Sequence, residues 1–238
     1  MDMRKTIGIL GGMGPMATAD LYIKILAMTK ADRDCEHIRI YIDSDGQIPD
    51  RTAAILYGGE DPVPEMATAL RNLNLCGADC ILMPCNTAHC FLPRLQALTD
   101  TPILDMTAIA ARRCRELFPG KKPAVLGTRG MLATGLYAEA MAREGLDCLI
   151  PNDAEQGVLM HLIYDVVKAS LPMEPEREAW RSLLEGLRTR GAEVFILACT
   201  ELPILANTLE LEGPFLDPTE QLAREAIVFC GYPLKGEP

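Results

Sequence analysis

Ile9-Leu10-Gly11-Gly12-Met13-Gly14, followed by Ala17-Thr18, returns 116 residues later as Val125-Leu126-Gly127-Thr128-Arg129-Gly130, followed by Ala133-Thr134. Two further segments return in the same order. Gly77-Ala78-Asp79-Cys80-Ile81-Leu82-Met83-Pro84-Cys85 reappears at an offset of 114 as Gly191-Ala192-Glu193-Val194-Phe195-Ile196-Leu197-Ala198-Cys199. Ile103-Leu104-Asp105-Met106-Thr107 reappears at an offset of 112 as Phe215-Leu216-Asp217-Pro218-Thr219. Three matches in one order, at nearly one offset, identify two copies of a single unit about half the chain long. The two halves are expected to be related by a pseudo-twofold.

Within each copy, short apolar runs bounded by Gly, Pro or Asp read as buried parallel strands. They are Thr6 to Leu10, His37 to Ile42, Cys80 to Met83 and Pro102 to Leu104, then Pro123 to Leu126, Asp147 to Ile150, Val194 to Leu197 and Phe215 to Leu216. Helical patterns lie between them. Asp61-Pro62 opens one with Met66, Leu70 and Leu73 at helical spacing, and Asn152-Asp153 opens one with Val158, Leu162, Ile163 and Val166 on an apolar face. This alternation predicts an α/β fold of two lobes, each a short parallel sheet flanked by helices. Residues 1–105 with 219–238 are expected to form the first lobe and residues 106–218 the second, with the active site in the cleft between them.

Composition narrows the function. The 238 residues carry a net charge of -10 and no basic run, which excludes phosphate-backbone recognition as the main task. Nine cysteines are an odd number in a chain too large for a disulfide miniprotein, which favours a reduced, cytoplasmic setting. Three scattered histidines and no paired C-x-x-C motifs give no structural zinc site, so no metal is expected. Arg4 and Lys5 before an apolar stretch mimic a signal peptide, but Gly11, Gly12, Gly14 and Pro15 break it. No 18-residue apolar run is present, so no membrane span is expected.

In parallel α/β sheets, ligands bind beyond the carboxyl ends of the strands. Cys85 and Cys199 occupy that position, in Pro84-Cys85-Asn86-Thr87-Ala88-His89 and Ala198-Cys199-Thr200-Glu201-Leu202-Pro203. A thiol at a helix N-terminus is expected to have a lowered pKa. A lone buried Cys is ordinarily packing, yet packing gives no reason for both copies to keep Cys followed by hydroxyl residues. A pseudo-twofold would set the two thiols face to face. That arrangement suits inversion at carbon, one thiolate removing a proton and one thiol returning it on the other face, with no electron-sink cofactor.

Gly11-Gly12-Met13-Gly14-Pro15, Pro84-Cys85-Asn86-Thr87-Ala88-His89, Cys199-Thr200-Glu201 and Gln47-Ile48-Pro49-Asp50-Arg51-Thr52 together resemble the aspartate racemase branch of the aspartate/glutamate racemase superfamily. The resemblance spans essentially the whole chain. It implies a cofactor-independent amino-acid racemase of two similar α/β lobes, commonly a homodimer, with Cys85 and Cys199 as the acid/base pair. It further implies that Asn86, Thr87, Thr128 and Thr200, with loop amides near Met13 and Gly14, hold the α-amino and α-carboxylate groups. Arg51 would meet the side-chain carboxylate, and Tyr164 and Lys168 look like a further substrate-facing pair. Glutamate racemases typically carry Cys-Thr-His and an early Asp-Ser-Gly; Cys199-Thr200-Glu201 and Gly11-Gly12-Met13 depart from that branch. Retention of both cysteines departs from the related decarboxylases.

Plainer readings stand beside these. Arg51 could pair with Asp50 or Glu60 at a helix start, and Lys168 could be a solvated residue near a helix end. Glu201 either orients and charge-tunes Cys199 or fills a helix first turn, where acids are favoured anyway. His89 reads as a core or surface residue rather than an ionising partner for Cys85. Asp105 and Asp217 read as caps, and Cys76, Cys80, Cys90 and Cys114 as small core residues. The glycine loop lacks the Gly-x-Gly-x-x-Gly pattern of dinucleotide sites and suits a carboxylate approached by backbone amides. Two other functions fit the same chain: a non-catalytic amino-acid binding or sensing protein, and an isomerase of a dicarboxylate such as maleate.

Overall fold

The computed structural model describes residues 4–236, so the first three and last two residues of the expected first lobe lie outside it. The chain divides into two compact units, Met1–Met106 with Thr219–Pro238, and Thr107–Pro218.

The first unit is built on a parallel sheet of β1 (Ile7–Gly11), β2 (Ile40–Ser44) and β3 (Cys80–Leu82) in the order β2-β1-β3. Ile103 adds a parallel bridge to Ile81 on the β3 side. The second unit repeats the arrangement with β4 (Pro123–Leu126), β5 (Val194–Leu197) and β6 (Phe215–Leu216) in the order β4-β5-β6, and Leu149 bridges Ala124 on the β4 side. Both units therefore order their extended segments second, first, third, fourth. The register repeats as well: Ile7 pairs with Cys80 in one unit and Pro123 with Val194 in the other, positions offset by 116 and 114. Ile81 with Ile103 corresponds in the same way to Phe195 with Phe215. The drift in offset thus arises in the connections, while the pairing of the strands is preserved.

Three of the eight expected strands differ from the observed ones by more than one residue at an end, for visible reasons. Pro102 to Leu104 contributes one bridge: Pro102 has no N–H, and the Ile103 N–H goes to Gln96 Oε1 at 2.9 Å, so only the Leu104 N–H bonds Ile81, at 2.9 Å. Asp147 to Ile150 likewise reduces to Leu149, which exchanges bonds with Val125 and Pro123 before Pro151 ends the run. The expected strand at His37 starts later, at Ile40, because His37 closes a short 3₁₀ turn over Asp34–Glu36.

Burial follows the apolar pattern. The helix Val63–Leu75 sends Met66, Leu70 and Leu73 into a core with Leu10, Ile81 and Met83. In the second unit one face of the sheet packs Leu126, Phe195 and Leu197 against Trp180, Leu184 and Leu187 of the helix Arg177–Thr189. The other face packs Val125 and Ile196 against Ala110, Cys114 and Met141. Asn152 opens the helix Asp153–Met160 with a capping box closed by Glu155. The helix continues as a π-helical stretch, His161–Lys168. The terminal helix, Pro218–Phe229, lies almost entirely in the first unit. Cys76, expected in the core, is exposed, because it follows the last helical residue, Leu75, in the turn before Gly77.

Candidate active site

In the first unit, β3 ends at Leu82 and the chain passes through Met83 and Pro84 to Cys85, which is 7% exposed. Asn86 and Thr87, both buried, begin a 3₁₀ turn, Thr87–Phe91, which runs into the short helix Leu92–Gln96. The expected helix N-terminus at Cys85 is therefore a tight 3₁₀ turn. His89 lies in that turn, and its imidazole is buried with both nitrogens engaged. Nδ1 donates to the Cys85 carbonyl at 2.9 Å, and Nε2 accepts the Met106 N–H at 3.1 Å. These partners require the neutral Nδ1–H tautomer. Burial pushes the His89 pKa below its ordinary value, against a weaker opposing pull from Asp105. His89 thus clamps the Cys85 loop to the start of the helix Met106–Leu117 and does not face the thiol as a base.

The glycine loop sits beyond β1. Gly12 has φ +91°, and a Cβ there would come within 2.0 Å of the Asp45 carbonyl oxygen, so no side chain fits. Thr18 ties the loop down: its Oγ1 accepts the Gly12 N–H at 2.9 Å and donates to the Gly14 carbonyl at 3.1 Å. Arg51 opens the helix Arg51–Leu56 and packs its guanidinium on the same loop. Nη2 donates to Met13 O at 3.2 Å, and Nη1 to Ile48 O and Pro49 O at 3.1 and 2.9 Å. Neither Asp50 nor Glu60 is its ion-pair partner; Asp50 caps the helix by accepting the Ala53 N–H at 2.7 Å. Arg51 Nε is buried with no hydrogen-bond partner among the described residues, so the guanidinium retains one donor that these contacts do not use.

In the second unit, β5 ends at Leu197 and the chain passes through Ala198 to Cys199, also 7% exposed. The helix Glu201–Thr208 follows, with Thr200 before its first turn. The Cys199 thiol donates to Glu201 Oε2 at 2.9 Å, and Thr200 Oγ1 donates to the same oxygen at 3.2 Å. Lys168 Nζ donates to Glu201 Oε1 at 2.6 Å and lies 5.7 Å from the centre of the Tyr164 ring. The lowered thiol pKa expected here is reversed: burial first, and then the Glu201 carboxylate, push the Cys199 thiol well above its ordinary range. The dipole of an eight-residue helix is the smaller effect. Lys168 pairs with Glu201. Tyr164 packs partly buried against the core. Thr128 Oγ1 accepts the Met131 N–H at 3.1 Å and caps the short helix Arg129–Ala133.

Glu201 was legible in the sequence as a residue that tunes Cys199, but the Lys168–Glu201 link and the His89 clamp were overlooked. The second had a signal, since a side chain at i+4 can reach the carbonyl at i in a helical turn. The first had none in local spacing, because Lys168 and Glu201 lie 33 residues apart. Among the described residues no group of three or more His, Cys, Asp or Glu side chains converges as a metal site, and no helix is long and apolar enough to cross a membrane.

The family model described as Asp/Glu/Hydantoin racemase matches residues 10–226. A Bacillus subtilis (strain 168) protein named broad specificity amino-acid racemase RacX is 26% identical, over 93% of this chain and 96% of that protein. The solved Picrophilus torridus aspartate racemase is 31% identical, covers 97% of this chain and 96% of its own, and superposes with a TM-score of 0.85. The glutamate racemase of Francisella tularensis, solved with D-glutamate, shares the fold at a TM-score of 0.67 and 15% identity, over 96% of this chain and 81% of that one.

Proposed function

The chain belongs to the Asp/Glu/hydantoin racemase family, and from that premise we propose that it is a cofactor-independent amino-acid racemase acting on aspartate, with Cys85 and Cys199 as its two acid/base groups. The observation that carries this reading is the equivalence of the two thiols. Each follows the strand that pairs with the first strand of its unit, in the same register, and each is exposed to the same small extent.

In the proposed reaction one cysteine is thiolate and the other thiol. The thiolate takes the Cα proton, so an S–H bond forms, the C–H bond breaks and the electron pair delocalises into the α-carboxylate. The opposite thiol then returns a proton to the other face. This requires the two sulfurs to flank one Cα. Arg51 binds the side-chain carboxylate through the donor left over from its contacts with Met13, Ile48 and Pro49. Asn86, Thr87 and Thr200, with the Met13 and Gly14 backbone, hold the α-amino and α-carboxylate groups. The proposal includes a homodimer, for which the exposed Met16 and Ile23, two turns apart on the helix Pro15–Met28, offer an apolar face.

Purified protein incubated with L-aspartate in deuterated water, with nothing else added, is expected to yield D-aspartate deuterated at Cα. A panel of other amino acids belongs in the same experiment, because the Bacillus subtilis relative is named for broad specificity. Absence of exchange with every amino acid tested overturns the reading. Cys85→Ser and Cys199→Ser should each abolish racemisation, and full activity in either removes that thiol from the mechanism.

A further inference from the structure

Glu201 is 5% exposed and both of its oxygens are occupied. Oε1 accepts from the Lys168 ammonium at 2.6 Å, and Oε2 accepts from the Cys199 thiol at 2.9 Å and the Thr200 hydroxyl at 3.2 Å. The ammonium pairs with the buried carboxylate, and a carboxylate in contact with a thiol opposes a second negative charge on the sulfur. Cys85 is bonded differently: its backbone carbonyl accepts from His89, and among the described residues no carboxylate accepts from its sulfur.

We propose that Glu201 is a positioning residue that holds the resting proton on Cys199, so that the free enzyme presents Cys199 as the acid and Cys85 as the base. The inference rests on the two-thiol reading above and assigns the roles within it. When Cys199 gives its proton to the substrate carbanion, its S–H bond breaks and a thiolate is left against the Glu201 carboxylate. That repulsion returns the next available proton to Cys199. Lys168 is the counterion that sets how strong the repulsion is.

The charged and titratable groups facing Cys199 are few. Glu201 comes from its own helix; Lys168, with Tyr164 beside it, comes from the π-helical stretch His161–Lys168 packed against that helix. His161 and Asp165, on the same stretch, are largely exposed, and His161 contacts Asp165 and Glu176. Cys199 also belongs to an apolar core that includes Leu202 and Phe195.

The test reads the thiol directly, without turnover. Trypsin releases Cys199 as the only cysteine of the peptide Gly191–Arg224, so its alkylation by iodoacetamide can be followed by mass spectrometry. Glu201→Gln keeps a hydrogen-bond acceptor but deletes the charge and leaves the Lys168 cation beside the sulfur. Cys199 alkylation at about pH 8 should then accelerate roughly tenfold or more, since each pKa unit is a tenfold change in thiolate fraction. Lys168→Met should change the rate in the opposite direction by a similar factor. A purely structural role predicts no such reversal of sign. If either variant, still unfolding cooperatively, leaves the Cys199 rate unchanged, or if both shift it the same way, the proposal fails. Racemisation measured on the wild type separates the two levels: activity without these alkylation shifts overturns the role of Glu201 alone.

Discussion

Replacing His89 by Phe keeps a planar ring in a fully buried position and deletes both nitrogens. The Met106 N–H, which Nε2 accepts at 3.1 Å, would be left unsatisfied in the interior, while the Cys85 carbonyl would lose the imidazole at 2.9 Å but keep the Ala88 N–H at 3.2 Å. At about 1–3 kcal/mol for one orphaned group, the variant should be less stable by roughly that amount at neutral pH. The penalty carries a pH signature. Burial lowers the folded-state pKa of His89 below its ordinary 6.5. The unfolded chain therefore binds a proton that the folded chain refuses. The stability due to His89 is complete above about pH 6.5 and is lost as pH falls, at up to about 1.4 kcal/mol per unit, until the folded-state pKa is reached. His89→Phe has no such proton, so its deficit relative to the wild type should narrow by about 1 kcal/mol between pH 7.5 and 5.5. The exposed His161, whose pKa its neighbour Asp165 raises, acts with the opposite sign but is common to both proteins and cancels in the difference. Urea denaturation followed by circular dichroism at the two pH values provides the measurement. A deficit that does not change with pH would refute the neutral, doubly bonded imidazole, and no deficit would refute the clamp itself.

Two substitutions probe the carboxylate side of the site. Gly12→Ala adds a Cβ 2.0 Å from Asp45 O at φ +91°; left-handed strain of about 1–2 kcal/mol plus the displaced loop should lower thermal stability by roughly 10 °C and abolish activity. An unchanged melting temperature would show that the loop opens without cost. Arg51→Lys cannot reproduce the three carbonyl contacts and the spare Nε donor. The KM for aspartate should rise about tenfold or more while that for an uncharged substrate changes little; equal changes for both would remove Arg51 from side-chain recognition.

Much of this architecture is legible in particular runs of residues. Pro123–Leu126, Val194–Leu197 and Phe215–Leu216 coincide end to end with the observed strands, since each is an apolar run in a parallel sheet and burial alone selects it. The helix from Val63 follows from Asp61-Pro62 and its apolar period for the same reason. Errors fall where a partner outside the apolar pattern decides: the Ile103 N–H goes to the Gln96 side chain, and Leu149 makes a single bridge to Ala124. Arg51 illustrates both sides: its residue type and loop setting pointed to a carboxylate, while its contacts with Met13, Ile48 and Pro49 and its unpartnered Nε are properties of the fold.

The amino-acid sequence by itself determined that the chain is a duplicated α/β unit with a cysteine beyond the corresponding strand of each copy. Hydrophobic periodicity and strand-end position are local properties, and a repeated local pattern is visible without any coordinates. Only the tertiary structure decided what surrounds each thiol. Packing of the stretch His161–Lys168 against the helix Glu201–Thr208 brings an ammonium to the carboxylate that meets the Cys199 thiol, whereas a turn of 3₁₀ helix brings a neutral imidazole to the carbonyl of Cys85. The two copies keep the same backbone register yet surround their cysteines differently: Glu201 and His89 are near neighbours in sequence, whereas Lys168, which pairs with Glu201 across 33 residues, arrives only through the tertiary fold.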